Sequence, residues 1–238
     1  MKRNISQKII CALDTSNFLV AQKITRKLRN HLGGIKVGKE FFTAHGPEGI
    51  KTISKEGLPI FLDLKFHDIP NTVAKAISNI VRLKPSMTTI HATGGAEMIK
   101  AAVKANKIIA KKNNIKRPYI LAVTVLTSLD KSDMISLGSE QNIQTLTLRL
   151  AKLAKRNGAD GIICSPKELK TLRSKLGKNF KIVVPGIRPN WRKNDDQKRT
   201  MTPKQALDLG ADYVVIGRPI TESDNPVLAV KKIINECM

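Results

Sequence analysis

Acidic residues are scarce in this chain. In 238 residues, 19 Asp and Glu stand against 42 Lys and Arg, giving a formal net charge of +23. Aromatic residues are also few, with two Tyr, six Phe and one Trp, so little ring surface exists on which nucleic-acid bases could stack. The lysines are spread over nearly every helical segment, in short pairs such as Lys111-Lys112 and Lys231-Lys232. This distribution argues against nucleic acid or an acidic membrane as the principal partner. A phosphorylated small molecule accounts better for the attraction such a charge exerts, although a general drift of composition toward Lys, Asn and Ile would give the same excess without any partner. Cysteine is limited to Cys11, Cys164 and Cys237; three thiols cannot all pair, and none has metal-ligand spacing. Cys11 and Cys164 lie in strand-like apolar runs and read as small core residues, Cys237 as exposed, all fitting a reducing compartment. The sequence has no apolar run of about 18 residues, which excludes a membrane-spanning helix. Nor is there a leader-like start, because the first eight residues run straight into an apolar strand; a cytoplasmic protein is expected. No two of the four histidines have ligand spacing, and no metal is expected. A G-x-S-x-G elbow is missing, and no G-x-G-x-x-G follows the first strand.

What the chain does have is a regular alternation of short apolar runs with longer amphipathic ones. The expected strands are 8–14, 35–38, 59–65, 87–92, 119–127, 160–165, 181–187 and 212–218. Expected helices cover about 18–31, 39–44, 47–56, 70–83, 95–112, 144–156, 166–175 and 226–235, with a longer loop over 129–138. The strand cores are continuous Ile, Val, Leu and Ala rather than strict alternations, as in strands covered on both faces. Eight such units in an α/β chain of this length predict one (β/α)8 TIM barrel domain over 1–238, with an open doubly wound sheet as the alternative.

In such a barrel the chemistry gathers at the carboxyl ends of the strands. Polar residues stand there: Asp14, Lys36, Asp63, Lys65, His91, Thr127, Ser165, Arg188 and Arg218, while the amino ends carry mostly proline, glycine or surface lysine. The densest stretch is Phe61-Leu62-Asp63-Leu64-Lys65-Phe66-His67-Asp68-Ile69-Pro70-Asn71-Thr72. Alternation puts Asp63 and Lys65 on one side of the strand, with Asp68 just beyond its end. A structural ion pair would also look like this. Lys36, mid-strand in Gly-Ile-Lys-Val-Gly, either snorkels outward or turns inward to bond Asp63. The inward choice predicts an alternating row Lys36–Asp63–Lys65–Asp68, with Asp14 near the same mouth.

A second constellation lies at the ends of strands seven and eight, Pro185-Gly186-Ile187-Arg188-Pro189 and Val215-Ile216-Gly217-Arg218. Barrels commonly bind phosphate on those two loops, through glycine-turn N–H groups and a bidentate arginine. Between them runs a polar, lid-like loop over 190–201 that includes Gln197. His31 and His45 read as helix-surface residues; His91 ends a strand and either lines the barrel or, the preferred reading, satisfies a core hydrogen bond.

The run from Asp63 to Thr72 closely resembles the signature of the orotidine 5′-phosphate decarboxylase family. So do Ala12-Leu13-Asp14, Ile35-Lys36-Val37-Gly38, Thr124-Val125-Leu126-Thr127-Ser128, Pro185 to Pro189, Gln197 and Val215 to Pro219, in the order and spacing of the bacterial form. The resemblance implies a homodimeric carboxy-lyase converting orotidine 5′-monophosphate to UMP and carbon dioxide without metal or organic cofactor. It implies a catalytic set of Lys65, Asp63, Asp68 and Lys36, with Lys65 protonating C6. Asp63 would face the departing carboxylate, and Asp68, Ile69 and Thr72 would cross into the neighbouring subunit's site. Asp14 and Lys36 would hold the ribose, Thr127 and Ser128 the pyrimidine, and Gln197, Gly217 and Arg218 the phosphate, with Arg188 close by. A magnesium-dependent sugar-phosphate enzyme sharing an Asp-x-Lys-x-x-Asp strand is the alternative within the superfamily.

Overall fold

Strands apolar on both faces need cover on both, and the chain provides it by closing its sheet into a ring. A computed structural model describes residues 2–139, 141–192 and 200–238. The elements run α1 (Lys2–Ser6), β1 (Ile9–Leu13), α2 (Phe18–Leu28), β2 (Gly34–Val37), α3 (Lys39–Ser54), β3 (Ile60–Phe66) and α4 (Pro70–Arg82). There follow β4 (Met87–His91), α5 (Gly95–Lys112), β5 (Tyr119–Val123), α6 (Lys131–Ser136), α7 (Ile143–Arg156), β6 (Gly161–Ile163) and α8 (Leu169–Leu176). The chain finishes with β7 (Lys181–Val184), α9 (Pro203–Asp208), β8 (Tyr213–Ile216), α10 (Arg218–Thr221) and α11 (Pro226–Glu236). The eight strands are parallel, each paired with its sequence neighbour, and β8 closes on β1. The predicted barrel is therefore the observed one, and the open sheet is excluded.

Alternation along each strand divides the core in two. Ile9, Cys11, Leu13, Leu62 and Leu64 join the large cluster packed against the helices. Ile10, Ala12, Phe61, Met87, Leu121, Val183 and Val215 form a second cluster that fills the barrel. Register sets Ala12 beside Lys36 and Lys36 beside Phe61. Lys36 thus occupies an inward position on a level otherwise apolar, and its ammonium has to climb to the rim to find partners. The inward reading of this lysine holds.

Local chemistry accounts for the element ends. The Asn17 side chain accepts the Val20 N–H at 3.1 Å and starts α2. Gly46, at φ +56, breaks α3 ahead of Pro47, as the two expected segments required; a positive φ of this kind favours glycine. Several expectations need correction. The stretch 129–138 is not all loop, because Asp130 and Asp133 form a reciprocal capping box that starts α6. β5 stops at Val123, so Thr127 and Ser128 belong to the loop beyond it. Arg218 is not a strand residue but the first of α10, opened by Pro219. The N-terminal residues form the short α1 before β1.

Charge is not confined to the carboxyl rim either. Asp160, ahead of β6, accepts two bonds from Arg117 at 2.8 and 2.6 Å and the Ile120 N–H at 2.8 Å. Asp212, ahead of β8, repeats the device with Arg173, Lys181 and the Ile182 N–H. Each aspartate holds the backbone of the preceding strand, so these amino-end charges tie the barrel floor. Among the described residues, no helix is long and apolar enough to cross a membrane.

Candidate active site

At the carboxyl rim, β1, β2 and β3 bring four charges of alternating sign together. The Lys36 ammonium lies 2.9 Å from Asp14 Oδ1 and 3.9 Å from Asp63 Oδ2. Lys65 Nζ donates to Asp63 Oδ2 at 2.6 Å. The row is therefore Asp14–Lys36–Asp63–Lys65, two carboxylates and two ammonium groups. Asp63 is only 7% exposed, and a carboxylate so deeply buried needs this cationic company on both sides. Gly38 borders the row: a Cβ there would stand 3.4 Å from Lys36 Nζ and 3.5 Å from Asp14 Oδ1.

Asp68 is not a member of this row, contrary to the sequence expectation. β3 ends at Phe66, the next four residues are exposed, and Asp68 Oδ1 accepts the N–H of its neighbour Ile69 at 2.6 Å. Asp68, Ile69 and Thr72 are all exposed, at and around the first turn of α4.

The backbone between Asp63 and Phe66 is irregular. β3 pairs with β4 at Leu62↔Thr88 and again at Phe66↔Ile90, so three residues of β3 face the single residue Thr89. Within this bulge Lys65 has φ +53, a left-handed conformation that costs a side-chain-bearing residue on the order of 1 kcal/mol or more. Thr89, fully buried, fills the break. Its Oγ1 accepts the Lys65 N–H at 2.8 Å and donates to Asp63 Oδ1 at 2.9 Å. Sequence reading passed over this residue, since a threonine within a strand reads simply as a β-former. The available hint was a Thr88-Thr89 pair in β4, the strand next to the charged one.

The histidines differ from expectation. His91 stacks on His67 with centroids 5.1 Å apart, so among the described residues it finds a ring rather than a core hydrogen bond. Burial above all, helped by the positive potential of His67 and Lys65, pushes the His91 imidazole down to about 4, keeping it neutral beside the row. His45 is not merely on the surface, because its ring packs between Phe18 and Phe41 and contacts the Ser16 carbonyl at 2.7 Å. His31 lies in the turn after α2. Burial likewise pushes the Cys11 thiol up to about 12, which leaves it inert as a nucleophile.

The other rim residues flank the row. A groove of about 470 Å³ runs between the ends of β1 and β8, lined by Asp14, Thr15, Gly217 and Arg218 among others. Of the charged row only Asp14 reaches its wall, and Val20 of α2 and Thr221 of α10 help to close it. Arg188 is buried just past β7, its Nη1 donating to the Ile187 carbonyl. Its N–H donates to Met201 at 2.9 Å, and Ile187 bridges Met201, so the two ends of the 190–201 loop are tied together at the rim. Gln197 lies outside the described residues. Thr127 is half-buried and Ser128 exposed on the loop after β5. Among the described residues, no group of three His, Cys, Asp or Glu side chains has the arrangement of a metal site.

Comparison with known proteins gives this arrangement a lineage. The model of the Orotidine 5'-phosphate decarboxylase / HUMPS family matches residues 7–233. The chain belongs to that family. It is 48% identical over 225 residues to the orotidine 5'-phosphate decarboxylase of Paramagnetospirillum magneticum, covering 94% of this chain and 96% of the relative. It is 47% identical over 226 residues to that of Wolbachia pipientis, covering 95% and 96%. Among solved structures, the orotidine 5'-phosphate decarboxylase of Lactobacillus acidophilus superposes with a TM-score of 0.85 at 40% identity, covering 96% of this chain and 98% of that one. Within the family's barrel, the Asp14–Lys36–Asp63–Lys65 row occupies the rim where the fold carries its chemistry.

Proposed function

We propose that the chain decarboxylates orotidine 5′-monophosphate to UMP and carbon dioxide, closing de novo pyrimidine nucleotide synthesis, and that it does so as a cytoplasmic homodimer. The observation that carries this reading is the Lys65–Asp63 pair, an ammonium and a buried carboxylate 2.6 Å apart at the mouth of the barrel. The names borne by relatives of nearly equal length support the substrate.

The reaction breaks the bond between C6 of the pyrimidine and its carboxylate. Carbon dioxide leaves without the bonding electron pair, which remains on C6. Lys65 holds a positive charge against that developing carbanion and then delivers its proton to C6, ending as a neutral amine that solvent reprotonates. Asp63 stands where the substrate carboxylate enters. Crowding two carboxylates raises the energy of the bound substrate, and this repulsion is relieved as carbon dioxide departs. Lys36, 2.9 Å from Asp14 and 3.9 Å from Asp63, holds the ribose hydroxyls together with Asp14. Thr127 and Ser128 receive the pyrimidine edge. Gly217, Arg218 and Gln197, with Arg188 close by, bind the phosphate remote from C6, and that binding energy orients the reacting end. Asp68, Ile69 and Thr72 complete the site of the neighbouring subunit. No metal or organic cofactor enters the scheme.

Replacing Lys65 separates binding from chemistry. Lys65→Ala is expected to lower turnover of orotidylate at least about a thousandfold, while UMP affinity, measured by calorimetry, stays within about tenfold of the parent. A variant retaining a tenth of the parent rate would remove Lys65 from the role of proton donor.

A further inference from the structure

We infer that Thr89 is a positioning residue for the Asp63–Lys65 pair, setting both the backbone of the proton donor and the direction of the carboxylate. The inference rests on the decarboxylase reading of the site and adds a residue to it.

Proton counting is decisive here. The Lys65 N–H is an obligate donor, so Thr89 Oγ1 must accept from it at 2.8 Å. A threonine hydroxyl carries one proton, and its remaining partner is Asp63 Oδ1 at 2.9 Å. The hydroxyl proton is thus directed at Asp63, and Oδ1 must offer a lone pair. The other oxygen, Oδ2, takes the Lys65 ammonium at 2.6 Å. Both carboxylate oxygens are thereby assigned: one to a fixed hydroxyl on β4, the other to the catalytic ammonium. The carboxylate plane cannot rotate without breaking a bond.

Sheet geometry gives the same answer from the backbone. Where the register of β3 and β4 breaks between Leu62 and Phe66, the Lys65 N–H bonds a side chain of β4. Thr89 supplies this acceptor and so pins a lysine whose φ of +53 an unsupported strand would not keep. Thr89 is fully buried, so bulk solvent does not reach its hydroxyl. One hydroxyl thus couples the strained backbone of Lys65 to the orientation of Asp63, and the ammonium is held from both ends of its own residue.

Two near-isosteric substitutions test the assignment. Thr89→Val keeps the shape and removes the hydroxyl, leaving the Lys65 N–H without an acceptor and Asp63 Oδ1 without its donor. Thr89→Ser restores the hydroxyl and removes only a methyl group. The Val variant is expected to lower kcat for orotidylate about tenfold to a hundredfold, with UMP affinity changed less than about threefold; the Ser variant should recover most of kcat. Amide hydrogen exchange over 60–69 should speed up in the Val variant and return toward the parent in the Ser variant, a readout independent of which substrate is turned over. Parent turnover in the same assay tests the decarboxylase reading separately. A Val variant with parental kcat and parental exchange would overturn the inference. So would a Ser variant as impaired as Val, or equal losses of kcat and UMP affinity, which mark a merely structural role. If Thr89→Val does not fold, Thr89→Ala against Thr89→Ser is read by the same measurements and the same criteria.

Discussion

The proposed chemistry needs an ammonium that is paired yet still reachable. Lys65 is bonded to a carboxylate whose side chain is 9% exposed, while its own side chain remains 29% exposed. Burial of Asp63 makes the pair rigid, and the opening over Lys65 lets a substrate atom approach. His91 adds a second constraint at this scale. Its ring, at about 4 against an ordinary 6.5, resists protonation because burial and the neighbouring His67 and Lys65 disfavour a further positive charge. The sign of the stability effect follows. In the unfolded chain the imidazole takes up a proton below about 6.5; in the folded chain it does not until about 4. Falling pH across that window therefore favours the unfolded state, and the loss levels off below about 4. Thermal melts at a series of pH values should show His91→Asn with a flatter decline between pH 6.5 and 4 than the parent. Equal slopes would mean that His91 does not carry this acid sensitivity.

Among the elements, β3 and α4 divide the signature stretch between them. Period-two alternation was enough to read Asp63 and Lys65 as sharing a face, because that inference needs only the strand. It could not foresee the bulge, which depends on how β4 answers β3, nor the left-handed Lys65, nor Thr89. Those belong to pairing across strands rather than to any local pattern. Asp68 was misplaced for the same reason: adjacency in sequence suggested adjacency in the charged row, but the chain leaves the barrel before it. α6 and α10 were missed because helices of six and four residues are too short to show a periodicity. The exposed start of α4, carrying Asp68, Ile69 and Thr72, has a function only if it faces a neighbouring site. Mixing inactive Lys65→Ala and Asp68→Ala chains tests this. After subunit exchange, half of the dimers carry one intact site, so recovery to about a quarter of the parental rate is expected. Confirmed exchange without recovery would count against a shared site.

For the whole molecule, the barrel was legible because its evidence is repeated eight times: apolar runs too continuous for a one-faced sheet, each followed by an amphipathic run. What was not legible is how function and stability share the two ends. Asp160 and Asp212 bind arginines on the barrel floor much as Asp63 binds Lys65 at the rim, yet each floor aspartate also accepts a backbone N–H of the neighbouring strand. Composition alone cannot tell a structural aspartate from one that works on substrate; its position along the strand can. A net charge of +23 is expected to attract anionic molecules, an effect that weakens with salt. In the proposed mechanism the Asp14–Lys36–Asp63–Lys65 row performs the decarboxylation with protein groups alone. Orotidylate followed by ultraviolet absorbance in excess EDTA should then be converted steadily to UMP, at a rate that added magnesium does not raise. No conversion, or conversion that EDTA abolishes and magnesium restores, would overturn that mechanism.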